Sequence, residues 1–346
     1  MKICPPSGPP DADVVIVGRD SGALEMMKGA PFVGPAGKLL DKGLARVGLS
    51  RTRFLVTNVV LVQPRANEWK WHRPEDVTEG VEGLRLLLAQ KERKLIVALG
   101  EQAFHACLGL DPDAKEYGIT EARGYVFDGP FGPVLPSLHP ASCLYQWHPN
   151  WRLLCFDLEK VRKFLEGVPP LSRRAEWVRN EEVAENFCAE VVQREVIGVD
   201  IETYEDTSIA CIGVGTAAGV GMTFPWEGRY FSYIERILGS PCKKFFHNGQ
   251  FDVTILRRAG FEVQNWHDTM LMWHVLEPAL SGQKEGKARK RTEKSLRMLA
   301  SVLTWEPFWK DYSFWAEEER YALCAKDARV TLECGLELER RLHEPL

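Results

Sequence analysis

Apolar, strand-like segments follow two different patterns along the chain, and this contrast most constrains the fold. In the first half they alternate with helical patterns, which predicts a parallel sheet covered by helices. These segments lie at residues 13–18, 54–62, 94–99 and 134–138. In the second half several follow one another before mostly helical sequence, which predicts an α/β domain with a mixed sheet. They lie at 196–202, 210–216, 220–225 and 243–247.

A segment with two prolines, GVPPLSRR at 167–174, separates the two patterns. Its composition is typical of a linker. We therefore predict a first domain at 1–168, a linker at 169–173 and a second domain at 174–346. A chain of 346 residues is long enough for each domain to bury its own core.

Composition excludes several classes of protein. A content of 45% apolar and 27% charged residues does not fit a disordered or fibrous chain. No apolar run approaches the roughly 18 residues of a membrane span, and residues 1–12 lack the features of a secretory signal. We therefore expect a soluble cytoplasmic protein without a membrane partner.

Charge and cysteine content carry less information. The net charge of −4 gives no general electrostatic reason to expect nucleic acid, although the basic segment at 284–294, KEGKARKRTEK, gives a local one. The nine cysteines lack paired spacing and lie mostly in apolar surroundings, which is typical of core positions.

Four acidic residues in the second half lie in contexts that suit a metal site. In IGVDIET, the two-residue period of a strand puts Asp200 and Glu202 on one face. In FHNGQFD, Asp252 falls in the first turn of a helix for which Asn248 is the expected N-terminal cap. Asp327 lies in a later helical run. Mg²⁺ and Mn²⁺ prefer such oxygen ligands, and two ions about 4 Å apart can promote hydrolysis of a phosphodiester.

The segments DIET, HNGQFD and CAKDA resemble the three exonuclease motifs of the DEDD superfamily, particularly those in the proofreading domains of family A DNA polymerases. The resemblance covers about half of the chain. It implies a ribonuclease H-like fold and metal-dependent 3′→5′ exonuclease activity. It also implies that Asp200, Glu202, Asp252 and Asp327 bind Mg²⁺ or Mn²⁺ and that Asn248 contacts the substrate.

One position departs from that family. Its tyrosine subclass carries, four residues before the last Asp, a Tyr that orients the attacking water, and this chain has Leu323 there. The histidine subclass would have His at Ala322. Tyr321 is six residues before Asp327, about 240° around a helix and about 9 Å along it, so it does not simply substitute. The sequence therefore predicts metal binding more firmly than fast turnover.

Polar residues of the first half follow predicted strands, where α/β folds place their ligands. An Asn amide matches the N3 donor and O4 acceptor of uracil, and an aromatic ring stacks on a flipped base, which suits Asn58 and Phe32. Breaking the N-glycosidic bond develops positive charge on the sugar and negative charge on uracil O2. Asp20 and His139 are the candidates to stabilise these charges.

The segments PFVGPAGKLLD, TNVV and LPSLHPA resemble the uracil-DNA glycosylase superfamily, and most of all its bacterial family 4. The match spans about residues 12–145 and implies a parallel-sheet α/β glycosylase fold with Gly18 at the substrate. Family 4 has GEAPG where this chain has GRDSG, and the change puts Asp20 where the family 1 motif GQDPY has its water-activating Asp. Gly22 stands where family 1 has the Tyr that excludes thymine.

Further residues differ from, or extend, the family 4 pattern. Cys4 stands alone before Cys107, so we expect no iron–sulfur cluster of the family 4 type. WKWHRP at 69–74 loosely resembles the His-containing loop of a covalent uracil-binding branch, in which a His traps the sugar. We interpret its His72 and Arg73 as DNA contacts or packed surface residues. Two further candidates for DNA contact are Arg19 and Leu144; Leu144 would either wedge into the duplex or be buried.

Together the two resemblances imply a bifunctional DNA-repair protein, as in certain phage DNA polymerases. The first domain would excise uracil and the second would trim the 3′ end that carries it. The expected substrate is uracil-containing DNA that is single-stranded or frayed at its 3′ end, with a DNA polymerase as a candidate partner. The expected location is the bacterial cytoplasm, where the protein would be associated with the nucleoid or present in a phage-infected cell.

Two alternatives stay open. In one, the first domain senses uracil without excising it and directs an active nuclease. In the other, Leu323 marks a weak or silent nuclease, either a DNA-binding scaffold for an active glycosylase or part of a polymerase fragment. The ending at 336–346 resembles the segment that leads into the polymerase domain of family A enzymes.

Overall fold

The computed structural model describes residues 3–167, 173–216, 219–280, 294–309 and 316–343. The chain divides into two compact units, Met1–Val168 with Pro307–Trp309, and Pro169–Glu306 with Lys310–Leu346. Most of the predicted linker and all but the last residue of the basic segment at 284–294 lie outside the described residues.

Five strands of the first unit form one sheet: β1 (Val14–Asp20), β2 (Leu55–Val60), β3 (Leu95–Leu99), β4 (Phe127–Gly129) and β5 (Gly132–Ser137). Their order is β2-β1-β3-β5-β4, and every neighbouring pair is parallel except β4 with β5. The helices are α1 (Ala23–Lys28), α2 (Pro35–Arg46), α3 (Pro74–Ala89), α4 (Glu101–Cys107), α5 (Ile119–Ala122), α6 (Ser142–Tyr145) and α7 (Trp147–Glu166).

Both faces of this sheet are covered. Val14 and Ile16 of β1 belong to a hydrophobic cluster that includes residues of α2 and α7. The alternate residues Val15 and Val17 belong to a second cluster, with residues of α3 and α4. Burial on both faces explains why β1 is an almost continuous apolar run. The predicted parallel sheet is confirmed, whereas the antiparallel β4 was not predicted because FDG lacks a strand pattern.

Six strands form the sheet of the second unit: β6 (Arg174–Trp177), β7 (Val196–Thr203), β8 (Ile209–Gly215), β9 (Val220–Pro225), β10 (Lys243–Phe246) and β11 (Trp266–Asp268). Their order is β11-β10-β7-β8-β9-β6. The pairs β7–β8 and β8–β9 are antiparallel and the other pairs are parallel. The helices are α8 (Glu181–Val191), α9 (Phe231–Gly239), α10 (Gly249–Arg258), α11 (Thr269–Leu276), α12 (Leu296–Leu303) and α13 (Glu317–His343).

This mixed sheet is ribonuclease H-like, because three antiparallel strands in chain order continue into two parallel strands on the other side of β7. The predicted fold class is therefore confirmed. The edge strand β6 was not predicted, since its side chains are mostly exposed and show no apolar alternation. None of the helices in the described ranges is long and apolar enough to cross a membrane.

The long helix α13 packs closely on the central strands. A side chain at Gly198 of β7 would clash with the carbonyl oxygen of Ala328 on α13. The absence of a Cβ therefore lets the helix approach β7 closely. This approach places Asp327, the neighbour of Ala328, beside the acidic residues of β7.

Candidate active sites

Several candidate residues of the first unit lie together where β1 and β2 end. Gly18 of β1 and Asn58 of β2 are register partners. A side chain at Gly18 would clash with both the Asn58 amide and the Phe32 ring, so glycine allows both groups to lie against β1. The Asn58 side chain is buried and its Nδ2 donates a hydrogen bond to Ser21 Oγ at 3.2 Å.

Phe32 is held in an uncommon backbone conformation, with a φ angle of 55°. The Arg51 guanidinium donates a hydrogen bond of 2.7 Å to the Phe32 carbonyl and so supports this conformation. The buried Phe32 ring lies 5.7 Å from the His139 ring, measured between centroids. The structure thus brings Gly18, Phe32, Asn58 and His139 together, as the sequence predicted.

His139 follows β5 and is a neutral hydrogen-bond donor in this setting. Its Nδ1 accepts a hydrogen bond from the Ala141 backbone N–H at 3.2 Å, which leaves the proton of the neutral ring on Nε2. Burial, together with the smaller effect of the Arg19 charge, lowers the pKa of His139 to about 4. At neutral pH the ring can therefore donate through Nε2 without carrying a charge.

Asp20, at the end of β1, is bonded to two basic side chains. Arg19 Nε lies 3.0 Å from its carboxylate, and His72 Nε2 lies 3.2 Å from the same oxygen. The His72 side chain is only 2% exposed and packs edge-on against the Trp69 ring. Sequence reasoning placed His72 among DNA contacts or packed surface residues and missed its pairing with Asp20, 52 residues away.

The other residues proposed to contact DNA lie at the surface. Leu144 on α6 is 53% exposed, so the alternative that it is a buried core residue is wrong. Arg73 is exposed and pairs with Asp76, with 2.9 Å from Nε to Oδ2. Arg19 is partly exposed.

All nine cysteines of the chain are buried free thiols, which confirms their interpretation as core residues.

A cluster of carboxylates in the second unit joins β7 to α13. Asp200 and Glu202 are alternate residues of β7, and Asp327 projects from α13. One oxygen from each of these three carboxylates lies within 4.8 Å of the others. This is the spacing that a shared divalent cation requires.

Asp252 lies next to this cluster. It occupies the first turn of α10, as predicted, and its Oδ1 accepts a hydrogen bond of 3.3 Å from the Ile201 backbone, between the two acidic residues of β7. Among the described residues, the group whose oxygens lie within 4.8 Å of one another contains Asp200, Glu202 and Asp327 but not Asp252.

The predicted capping role of Asn248 is wrong. Asn248 does stand at the N-terminal position of α10, but in a left-handed conformation, and its side chain makes no capping hydrogen bond within the described chain. The Asp268 carboxylate caps the next helix, α11, by accepting a hydrogen bond of 2.8 Å from the Met270 backbone N–H, and it also accepts one of 3.1 Å from the Asn248 backbone N–H. An Asp directly before an apolar helical run was the available signal for this cap.

Comparison with known proteins decides the family of the first half. Residues 5–165 match the family model described as the uracil DNA glycosylase superfamily. The type-4 uracil-DNA glycosylase of Archaeoglobus fulgidus is 35% identical over 146 residues, which cover 41% of this chain and 72% of that relative. The chain belongs to the uracil-DNA glycosylase superfamily. The corresponding protein of Thermotoga maritima is 34% identical over 161 residues, which cover 45% of the chain and 79% of that relative.

The second half of this glycosylase-family chain matches a different family. Residues 175–343 fit the model described as 3′-5′ exonuclease. A DNA polymerase of Bacillus phage SP01 is 22% identical over 317 residues, which cover 78% of the chain and 33% of that polymerase. Among solved structures, the catalytic core of RRP6 from Trypanosoma brucei has a TM-score of 0.41 at 16% identity. The match covers 51% of this chain and 48% of the RRP6 chain. Both predicted resemblances are therefore confirmed, and the chain is an enzyme with a glycosylase and an exonuclease domain.

The electrostatics of the exonuclease domain fit a divalent cation. Burial and the neighbouring Asp252, Asp327 and Glu202 raise the pKa of Asp200 well above its usual range. Burial is also the largest cause that raises the pKa values of Glu202, Asp252 and Asp327 to about 7. Asp327 Oδ1 is buried and has no hydrogen-bond partner among the described residues. A bound cation would offset the repulsion and use that oxygen.

Tyr321 does not take the place of the tyrosine that the exonuclease family carries at Leu323. Its hydroxyl contacts Glu317 at 3.4 Å. Its ring centroid lies 6.4 Å from that of Trp177 on β6, and β8 and β9 separate this edge strand from β7.

Proposed function

We propose that the protein is a bifunctional DNA-repair enzyme that excises uracil with its first domain and hydrolyses DNA from the 3′ end with its second. The observation that carries the first activity is the neutral His139 donor beside Phe32, whose ring lies with the Asn58 amide against Gly18. The observation that carries the second is the cluster of Asp200, Glu202 and Asp327.

In the glycosylase domain, a flipped uracil would stack on Phe32 while the Asn58 amide pairs with its N3 and O4. The bond between N1 and C1′ breaks as a water oxygen bonds to C1′. His139 Nε2–H stabilises the negative charge that develops on uracil O2. Asp20 stabilises the positive charge on the sugar and directs the water.

In the exonuclease domain, Asp200, Glu202 and Asp327 would hold Mg²⁺ or Mn²⁺, with Asp252 as the fourth acidic residue. The cations supply Lewis acidity and an activated water. Asn248 would contact the terminal nucleotide.

The proposed substrate is DNA that is single-stranded or frayed at its 3′ end. The phage polymerase that aligns over most of this chain supports a polymerase partner and a phage-infected bacterial cytoplasm as the setting.

A 5′-labelled single strand with one uracil tests both activities. The protein is incubated with it in EDTA or in Mg²⁺, and half of each sample is treated with alkali. We expect alkali-labile breaks at uracil in EDTA and a ladder of shortened products in Mg²⁺. Asp20→Asn should abolish the breaks and spare the ladder, whereas Asp128→Asn, an exposed acid on β4, should change neither. Breaks that persist in both Asp20→Asn and His139→Ala would refute the pocket assignment.

A uracil sensor is the second candidate, favoured by one observation. One oxygen of the Asp20 carboxylate already accepts hydrogen bonds from both Arg19 and His72, so fewer of its acceptor sites are left to direct a water. A sensor would retain the uracil strand in a binding assay without producing alkali-labile breaks. A gel-stable adduct that disappears in His72→Ala would instead show covalent capture.

A further inference from the structure

The first turn of α13 brings a positive charge to the acidic cluster. Arg320 precedes Asp327 by seven residues, which is two helical turns, so both project from the same face of α13. The Arg320 guanidinium also lies over the ring of Tyr204, which follows Glu202 of β7 by two residues. Arg320 therefore lies at the β7 side of the cluster.

Tyr204 holds this guanidinium. It follows Glu202 by two residues at the end of β7, and Arg320 Cζ lies 4.6 Å from the centroid of its ring. The Tyr204 residue is 42% exposed, so the pair stands at the open side of the cluster. A guanidinium that stacks through its face donates its hydrogen bonds in its own plane, in the bidentate geometry that suits a phosphate.

Two further basic residues near the cluster interact with Asp327 on α13. Lys326 and Arg297 influence Asp327 electrostatically, and Lys326 is half-buried on α13. Of these three cations, Arg320 is the one that contacts Tyr204, at the end of the strand that supplies two of the three clustered carboxylates.

We propose that Arg320, positioned by Tyr204, binds a non-bridging oxygen of the scissile phosphodiester in the exonuclease domain. This inference rests on the proposed exonuclease function. In the reaction a water oxygen bonds to phosphorus, the bond from phosphorus to the 3′ oxygen of the shortened strand breaks, and that oxygen takes a proton from solvent. Negative charge grows on the non-bridging oxygens, where the guanidinium stabilises it more than in the ground state. Arg320 would thus be a catalytic residue and Tyr204 a positioning residue.

Single-turnover hydrolysis by the full chain at saturating Mg²⁺ tests the proposal. The substrates are an all-oxygen strand and two strands with a single sulfur, of either configuration, at the terminal linkage. Arg320→Ala should lower the rate by about 10²-fold, as removal of a charge-stabilising donor does, and Arg320→Lys by less. Tyr204→Phe should keep the rate, whereas Tyr204→Ala should lower it about 2- to 5-fold through loss of the ring face. Arg340→Ala, an exposed arginine of the same helix paired with Glu337, is the matched control and should match the wild type.

Two readouts separate phosphate binding from a structural role. In the wild type one of the two sulfur configurations should slow hydrolysis, and Arg320→Ala should lose this penalty because the contact is already gone. The half-saturating Mg²⁺ concentration should change little. An unchanged rate in Arg320→Ala, or a lost rate that higher Mg²⁺ restores fully, would overturn the proposal while leaving the exonuclease intact. A wild type without any metal-dependent shortening would overturn the exonuclease function and this inference with it.

Discussion

The proposed uracil pocket and the proposed metal centre hold carboxylates in opposite electrostatic settings. In the pocket, Asp20 bonds to Arg19 and His72, so groups of the protein balance its charge. In the metal centre, the nearest charged neighbours of Asp200 are other acids, and its pKa is raised. A balanced buried charge is stable by itself, whereas a set of like charges requires a bound cation or protons. In the first site the protein itself supplies groups that balance the carboxylate, whereas in the second the proposed divalent cation would supply that balance.

The largest expected effect separates the two sites by their need for metal. Asp200→Asn should lower the exonuclease rate at least about 10³-fold, because it removes a ligand shared by the cluster. Excision of uracil in EDTA should not change. A 5′-labelled strand measures both, and Glu262→Gln, an exposed acid of the same domain, is the control. Equal losses of both activities would contradict the separation.

The next effect concerns the pocket alone. His139→Ala should lower the rate of uracil excision by about 10²- to 10³-fold, as loss of one oxyanion donor does. The Mg²⁺-dependent ladder should persist at the wild-type rate. Alkali-labile breaks under single-turnover conditions provide the measurement, and a fall below about 3-fold would remove His139 from the mechanism.

Without metal, the two sites should respond to pH with opposite signs. The pKa of Asp327 is raised to about 7, so the folded state binds more protons than the unfolded state, and stability is lost as pH rises from about 4 to about 7. The pKa of His139 is lowered to about 4, so its contribution is lost as pH falls from about 6.5 to about 4.

Thermal unfolding in EDTA can measure this contrast. Asp327→Asn should stabilise the protein at pH 8, by roughly 1–3 kcal/mol, and by less at pH 5. Saturating Mg²⁺ should reverse the order at pH 8, since the variant loses a ligand. A gain that is equal at both pH values would show that Asp327 is ionised in the folded state throughout.

A smaller effect tests the balance of charge in the pocket. His72→Ala removes one of the two partners of Asp20 and should lower excision by about 10-fold, the value of a hydrogen bond to a charged group. Arg73 directly follows His72 but pairs with Asp76, so Arg73→Ala should have little effect on excision from a short single strand. Faster excision by His72→Ala would instead show that His72 restrains Asp20, in support of the sensor.

The smallest effect concerns duplex substrates. The exposed Leu144 follows His139 by five residues and could fill the space that a flipped base leaves. Leu144→Ala should slow excision from duplex DNA a few-fold, since unstacking costs a few kcal/mol that a wedge partly offsets. Excision from a single strand should not change. Equal slowing on both substrates would rule out the wedge.

Local periodicity was enough to predict much of both sites. The two-residue period of β7 predicted that Asp200 and Glu202 share a face, and strand ends predicted Gly18 and Asn58 side by side. These relations depend on neighbours in sequence or on the common edge of a parallel sheet. The order of strand and helix patterns likewise predicted a parallel sheet in the first domain and a mixed sheet in the second, whereas the two named folds came from the family resemblance.

Relations that depend on distant packing were not predictable in this way. The bond between His72 and Asp20 spans 52 residues and carries no local pattern. The side-chain cap expected at Asn248 is absent because this residue adopts a left-handed backbone conformation, which the local sequence pattern did not indicate. The contact between Arg320 and Tyr204 likewise depends on where α13 lies against β7, which no periodicity specifies.

The absence of a side chain at Gly198 affects the spacing of the acidic cluster. Because no side chain separates β7 from α13 there, the distance between strand and helix sets the distance between Asp200 and Asp327. Replacement by alanine or serine would add a side chain under the helix and push α13 away from β7. The variants would thus change the distance between the proposed metal ligands without changing any of the ligands themselves.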